Sequence, residues 1–285
     1  MTPDMARRAS APAKVHRLRR ATEVLLAPWV LKRRLPALAG GGLIVVSAKV
    51  GGLKFLIKPA DRWDPNLLNI AALLVRNGNV VWDIGANVGL FSRAASFHAG
   101  DAGTVLAVEA DLDAVALLNR MRTHIASGHA AIEVLPVAVS KVCGFVHFDI
   151  AMRARATNAI SGYGSTQTGG VKETRTLPAV TLDYMLTHFR APNVLKIDVE
   201  GAEVGVLFGA SQLLDSSRPF VYCEVQGNTR SAVMEILEGY DYRLWDGDRF
   251  NGTPHTAPVT ASTSNILAAP KEKCHALLDF GGAHA

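Results

Sequence analysis

The chain has 285 residues, 49% of them apolar and 19% charged. That is enough chain for a sizeable core and excludes an intrinsically disordered protein. No run of about 18 uncharged apolar residues exists, so no membrane-spanning helix is expected. Val24 to Leu31 is too short, carries Pro28, and lacks the cleavage pattern of a signal peptide. Cys143, Cys223 and Cys274 cannot form a full disulfide framework, and no CxxC pair is present. A reducing, cytoplasmic setting is the expectation.

The net charge of +5 is unevenly placed. Residues 1–34 hold nine basic and two acidic side chains, giving +7, and the remainder carries −2. A nearly neutral body argues against a nucleic-acid groove, which needs basic residues along its length. Residues 1–40 read as a basic arm and 41–285 as the folded domain. Within the arm, residues 15–35 mix Leu, Val and Trp29 with Arg and Lys. That pattern suggests an amphipathic helix on an anionic membrane surface, interrupted by Pro28.

Leu43–Val46 and Lys54–Ile57 flank Gly51-Gly52 and read as a hairpin. Asp64-Pro65 caps and opens a helix through Arg76. Strands and helices then alternate. Val80–Ile84 is a strand and Val88–His98 a helix. Thr104–Glu109 is a strand, and Asp111–Ser127 a helix capped by Asp111. Ile132–Val139 is a strand. After an interruption at 141–180, strands at Val194–Val199, Phe220–Val225, Tyr242–Trp245 and Ser264–Ala268 enclose helices at Ala202–Leu214 and Asn228–Glu238. Within the interruption, Gly144–Ile150 reads as a strand and Thr157–Gly170 as a loop. This order predicts an α/β, doubly wound, mainly parallel sheet. Its ligands belong beyond the carboxyl ends of the strands.

Val81 to Ser92 joins a buried strand ending at Asp83 to a helix through Gly85, Asn87 and Gly89. Glycine lets the backbone turn with positive φ and approach a ligand, and asparagine tolerates the left-handed region. A dinucleotide fingerprint needs glycine at its first, third and sixth positions. Here Gly85, Asn87 and Leu90 stand there, so an NAD enzyme fits poorly. A P-loop is excluded because no Gly-Lys-Ser/Thr follows. An acid before such a loop suits a cationic nucleoside cofactor, S-adenosylmethionine, with Asp83 at its amino end. Glu109 follows Gly89 by twenty residues and can accept both ribose hydroxyls. Ala138, after the third strand, can meet the adenine edge. In Leu195 to Glu203, alternation puts Lys196 and Asp198 on one side of a strand, with Glu200 just beyond it. Carboxylates and a lysine converging there are costly unless paired or used. Glu224 ends the next strand and can face the same cleft, whereas Glu203 reads as structural. No spacing demands a metal.

These segments together resemble the FkbM family of S-adenosylmethionine-dependent methyltransferases. The resemblance rests on Asp83–Ser92, Glu109-Ala110-Asp111, Ala138-Val139-Ser140, Thr181-Leu182-Asp183, Leu195–Glu203, Gly209-Ala210, Glu224 and Ser264–Ala268. It covers roughly residues 60–270. It implies a class I methyltransferase fold: a Rossmann-like seven-stranded sheet with an antiparallel last strand, here with a small N-terminal hairpin extension. It also implies O-methylation of a hydroxyl on a sugar, polysaccharide or secondary metabolite. Asp198, Glu200, Lys196 and Glu224 are then the reacting set, with a small-molecule or glycan partner. The competing expectation is a non-catalytic cofactor-binding subunit of a biosynthetic complex.

Overall fold

The computed structural model describes residues 29–50, 54–152, 158–163, 170–250 and 257–278. β1 (Val30–Arg34) pairs antiparallel with β2 (Leu43–Ser47). The N-terminal hairpin therefore exists, but from other segments than expected. Lys54–Ile57, read as its second strand, is a short helix, α1. The folded part thus begins inside the stretch read as an arm, and the amphipathic helix proposed for 15–35 cannot reach its end. Residues 1–28 lie outside the described residues.

α2 (Pro65–Leu74) starts as its sequence dictates. Asp64 accepts the backbone N–H of Leu67, and Pro65 occupies the first position, where no amide is needed. The units β3 (Val80–Ile84), α3 (Leu90–Ala99), β4 (Thr104–Val108), α4 (Leu112–Arg122) and β5 (Ala131–Leu135) follow. Asp111 caps α4 by accepting the N–H of Asp113. The chain then forms β6 (Ala138–Val139), β7 (Gly144–Ala151), β8 (Ala159–Ile160) and β9 (Val171–Val180). After α5 (Leu182–Leu186) come β10 (Val194–Ile197), α6 (Glu203–Phe208), β11 (Phe220–Glu224), α7 (Arg230–Gly239), β12 (Tyr242–Asp246), β13 (Asn265–Pro270) and α8 (Cys274–Leu278).

Seven strands make the main sheet in the order β12-β13-β11-β10-β3-β4-β5. β3, β4, β5, β10 and β11 pair in parallel. β13 runs antiparallel to both its neighbours, as the fold class requires. Both faces are buried. Val81, Val105 and Val194 point into one core with α2, α3 and α4, while Trp82, Leu106 and Leu195 point into a second core with α5, α6 and α7. Each of these side chains is at most 5% exposed, so the alternation of the strands serves two layers rather than one wet face.

The interruption at 141–180 holds a second sheet, ordered β6-β9-β7-β8. Val171–Val180, to which the sequence reading gives no element, is a strand of ten residues. Its first four residues, Val171 to Thr174, are exposed on both faces, only Leu177 and Ala179 are buried, and its stability comes from pairing with β7. Half of the stretch read as the loop Thr157–Gly170 lies outside the described residues. Its described part includes β8. No helix among the described residues is long and apolar enough to cross a membrane.

Candidate active site

The central strands β3 and β10 are neighbours, and the chain leaves them toward opposite edges of the sheet. Beyond their carboxyl ends lies a cavity of about 320 Å³, where the switch-point rule places it. Gly85, Asn87, Glu109, Ala138, Asp198, Glu200 and Glu224 all line it. Asp83, Gly89 and Lys196 do not.

Asp83 sits beneath the floor, fully buried. Its carboxylate accepts the Ser92 hydroxyl at 2.5 Å and lies 3.1 Å from Lys196 Nζ. Direct contact between Asp83 and the amino end of a ligand does not follow from this placement. Lys196 Nζ also donates to the Gly85 carbonyl at 2.8 Å and lies 3.3 Å from Asp198. Burial alone would favour the neutral amine, but the Asp83 and Asp198 carboxylates outweigh it and raise the lysine above its ordinary pKa. Lys196 is a charged post that ties β3, β10 and the glycine loop together.

The glycines serve packing as much as ligand approach. At Gly85, with φ +76°, a Cβ would fall 1.8 Å from the Asp198 carbonyl oxygen. At Gly89, with φ +85°, it would meet Leu118 and Met121 of α4. Asn87 takes the left-handed conformation at φ 51°, and so does Glu200 at φ 52°. Such backbone is uncommon for side-chain-bearing residues and clusters at functional sites.

Glu109 is only 9% exposed. Oε2 accepts the Asn87 N–H at 2.7 Å, and Oε1 accepts the Asp111 N–H at 2.8 Å. Burial dominates these bonds and pushes its pKa up to about 7. Each carboxylate oxygen keeps a further acceptor site. Asn87 Oδ1 is buried and has no hydrogen-bond partner among the described residues.

At the other end of the cavity, Glu224 stands on the tip of β11 with surface exposed to the cleft but protein crowded around it. Desolvation, followed by the Asp198 and Glu200 carboxylates, raises its pKa. Asp64, the cap of α2, joins this acidic end. Glu203 is 1% exposed and accepts the Gly201 N–H at 2.7 Å, the structural role expected of it.

Sequence reasoning missed several lining residues: Asp64, Phe148, Asn158 and Ile160. The last three come from the inserted segment, whose strand pairing no local pattern announces. Asp111 was read only as a cap, yet it lines the cavity as well. Other residues in the motif set are structural. Asp183 accepts the N–H groups of Gln212 and Leu213 at 3.0 and 2.9 Å, and a Cβ on Gly209 would lie 2.6 Å from the Ser140 carbonyl oxygen.

Comparison with known proteins places this arrangement. Among solved structures the chain is similar to a methyltransferase FkbM from Methylobacillus flagellatus KT. Identity is 15% and the TM-score 0.43, over 72% of this chain and 52% of that one. The chain therefore spans about half the length of that protein. It is also similar to a precorrin-6y C5,15-methyltransferase from Geobacter metallireducens GS-15, at 14% identity and a TM-score of 0.43, over 78% of this chain and 94% of that one. No curated protein matches the chain significantly. Residues 83–244, more than half of the chain, match the family described as the methyltransferase FkbM domain. With its class I sheet order and the cavity at the strand ends, the chain belongs to the FkbM family of S-adenosylmethionine-dependent methyltransferases.

Proposed function

We propose that this protein is an S-adenosylmethionine-dependent O-methyltransferase. Its acceptor is a hydroxyl of a sugar, polysaccharide or secondary metabolite. The observation that carries this reading is the division of one cavity into two ends. Glu109, Asn87 and Ala138 line one, and Asp198, Glu200 and Glu224 the other.

The first end fits the cofactor. Glu109 has acceptor capacity left on both oxygens for the ribose hydroxyls. The unpartnered Asn87 Oδ1 suits a donor such as the ammonium of the methionine part. Ala110 and Ala138 leave room for a flat base. The cavity lies within the usual range for ligand pockets, about 300–1,000 Å³. When bound, S-adenosylmethionine supplies an electrophilic methyl group on a sulfonium.

The second end handles the acceptor. Asp198 is steadied by Lys196 and accepts the hydroxyl proton as the oxygen gains the methyl group. Glu224, its pKa raised toward neutrality, is placed to share that proton with Asp198. The walls hold the hydroxyl in line, and such positioning accounts for much of the rate in a group transfer of this kind. The body's small negative charge, with the cavity's carboxylates, favours a small-molecule or glycan partner over nucleic acid.

Calorimetry with S-adenosylmethionine and with NADH tests the first half. Transfer of a labelled methyl group to a panel of hydroxylated acceptors tests the second. Binding of S-adenosylmethionine alone, with label recovered in an acid- and base-stable ether, is the expected result. Tight binding of NADH alone would overturn the reading, and cofactor binding with no transfer to any acceptor would favour the non-catalytic alternative.

A further inference from the structure

One wall of the cavity does not come from the main sheet. It consists of Phe148 on β7, Asn158 just before β8 and Ile160 on β8, all from the inserted segment. Phe148 also packs with Ile150 and Leu177 in a small cluster that touches Ala110, next to Glu109. The polar link between this wall and the main sheet passes through Asn158, itself 9% exposed. Its Oδ1 accepts the Ala151 N–H at 2.9 Å. Its Nδ2 donates to Asp111 Oδ2, also at 2.9 Å. Asp111 Oδ1 accepts the Asp113 N–H at 3.0 Å and is approached by Arg175 of β9 at 3.4 Å.

The chain of bonds continues. The Asp111 N–H donates to Glu109 Oε1 at 2.8 Å, and Glu109 Oε2 accepts from the Asn87 N–H at 2.7 Å. A hydrogen-bonded path thus runs from β7 through Asn158, Asp111 and Glu109 to the glycine loop. Buried bonds of this kind are stronger than exposed ones, and those to a carboxylate are the strongest. Only a side chain that both donates and accepts can satisfy Ala151 and Asp111 at once.

We propose that Asn158 is a positioning residue for the cofactor end of the site. It fastens the inserted sheet to Asp111, and so holds the Phe148–Ile160 wall in place and fixes the Glu109 carboxylate. Its effect on affinity rests on the reading of Glu109 as the ribose-binding group; the fastening itself does not. Asp198, Glu200 and Glu224 belong to other strand ends, so losing Asn158 acts on cofactor affinity and spares the reacting groups.

The pair can be reversed. In the double variant Asp111→Asn with Asn158→Asp, the new amide at 111 donates to the new carboxylate at 158. That carboxylate still accepts from Ala151, and the amide oxygen at 111 still caps Asp113. Two readouts are taken on the full chain: S-adenosylmethionine affinity with steady-state kinetics, and hydrogen exchange of the Ala151 amide in ligand-free protein. For Asn158→Ala we expect the cofactor Kd and KM to rise about tenfold, the weight of one hydrogen bond to a charged group. The kcat at saturation stays near wild type, and Ala151 exchanges faster. Asn158→Asp alone, which sets two carboxylates against each other, is worse, and the reversed pair restores affinity and Ala151 protection. Wild-type Kd and exchange in Asn158→Ala, or a reversed pair no better than Asn158→Asp, would overturn the proposal. If the wild type binds no S-adenosylmethionine, the functional reading fails. The exchange series alone then decides the fastening, by whether the reversed pair regains the protection that Asn158→Asp loses.

Discussion

Replacing Lys196 with methionine removes the ammonium beneath the cavity floor while keeping much of the side-chain volume. Its Nζ lies 3.1 Å from Asp83, 3.3 Å from Asp198 and 2.8 Å from the Gly85 carbonyl oxygen. The lysine side chain is 5% exposed and that of Asp83 is 0% exposed. After the substitution, Asp83 keeps the Ser92 hydroxyl but loses its counter-charge. Breaking a buried pair by removing one partner costs about 3–5 kcal/mol, chiefly because the other charge stays desolvated. At about 2–4 °C per kcal/mol for a large domain, Tm falls by roughly 6–20 °C. The choice of pH follows from the direction of the lysine's shift. Its folded pKa lies above the ordinary 10.5, so its contribution is fully present below that value and fades only as pH rises beyond it. Thermal unfolding at pH 8, followed by circular dichroism, is therefore the assay. Adding Asp83→Asn removes the stranded charge and should recover a substantial part of the loss. A Lys196→Met protein within about 1 kcal/mol of wild type, or a double variant no better than the single one, would refute the account of Lys196 as a buried counter-charge.

The other predictions concern the cavity, the glycine loop and the arm. Because burial lifts Glu109 to about 7, S-adenosylmethionine affinity should weaken as pH falls from 8 to 6. Glu109→Ala should lose roughly 10- to 100-fold in Kd and flatten that dependence, as titration calorimetry reads. In the ligand-free protein the sign is opposite: a raised carboxyl pKa stabilises the fold below 4.5, and this contribution is lost as pH rises toward 7. Urea melts at pH 5 and 8 check it. Asp198→Asn should leave cofactor Kd nearly unchanged and lower turnover about 10²-fold or more; equal losses in both would make it a binding residue. Gly85→Ala should destabilise by about 4 kcal/mol or more, since its Cβ would lie 1.8 Å from the Asp198 carbonyl oxygen. Gly227→Ala, which meets nothing within 4 Å, should be close to neutral in the same denaturant melt. We also propose that the basic stretch contacts an anionic membrane surface. Vesicle sedimentation at low salt should pellet the full chain and spare residues 29–285, and equal behaviour of the two would reject the contact.

Local chemistry in the sequence determined the alternation of strands and helices, the caps at Asp64 and Asp111, and the loop from Asp83 to Gly89. These features depend on neighbours within a few residues: a carboxylate before an amide, a proline at a first turn, a glycine where φ turns positive. The strand-end rule then brought Glu109, Asp198, Glu200 and Glu224 to one cleft without any knowledge of contacts. Tertiary structure decided the rest. Val30–Arg34 is rich in lysine and arginine and reads as part of the basic arm, but its backbone pairs with β2. Lys54–Ile57 is β-rich in composition, yet it turns as a helix. Val171–Val180 is a strand because β7 supplies its partner, twenty or more residues earlier in the chain. Burial separated Asp83 and Lys196, which hold the floor, from Asp198, which faces the cavity. Alternation along β10 puts Lys196 and Asp198 on one side but cannot say which of them the loop above covers. The link from Asn158 to Asp111 spans 47 residues. Such a contact has no local signature, because it forms only after two sheets have packed.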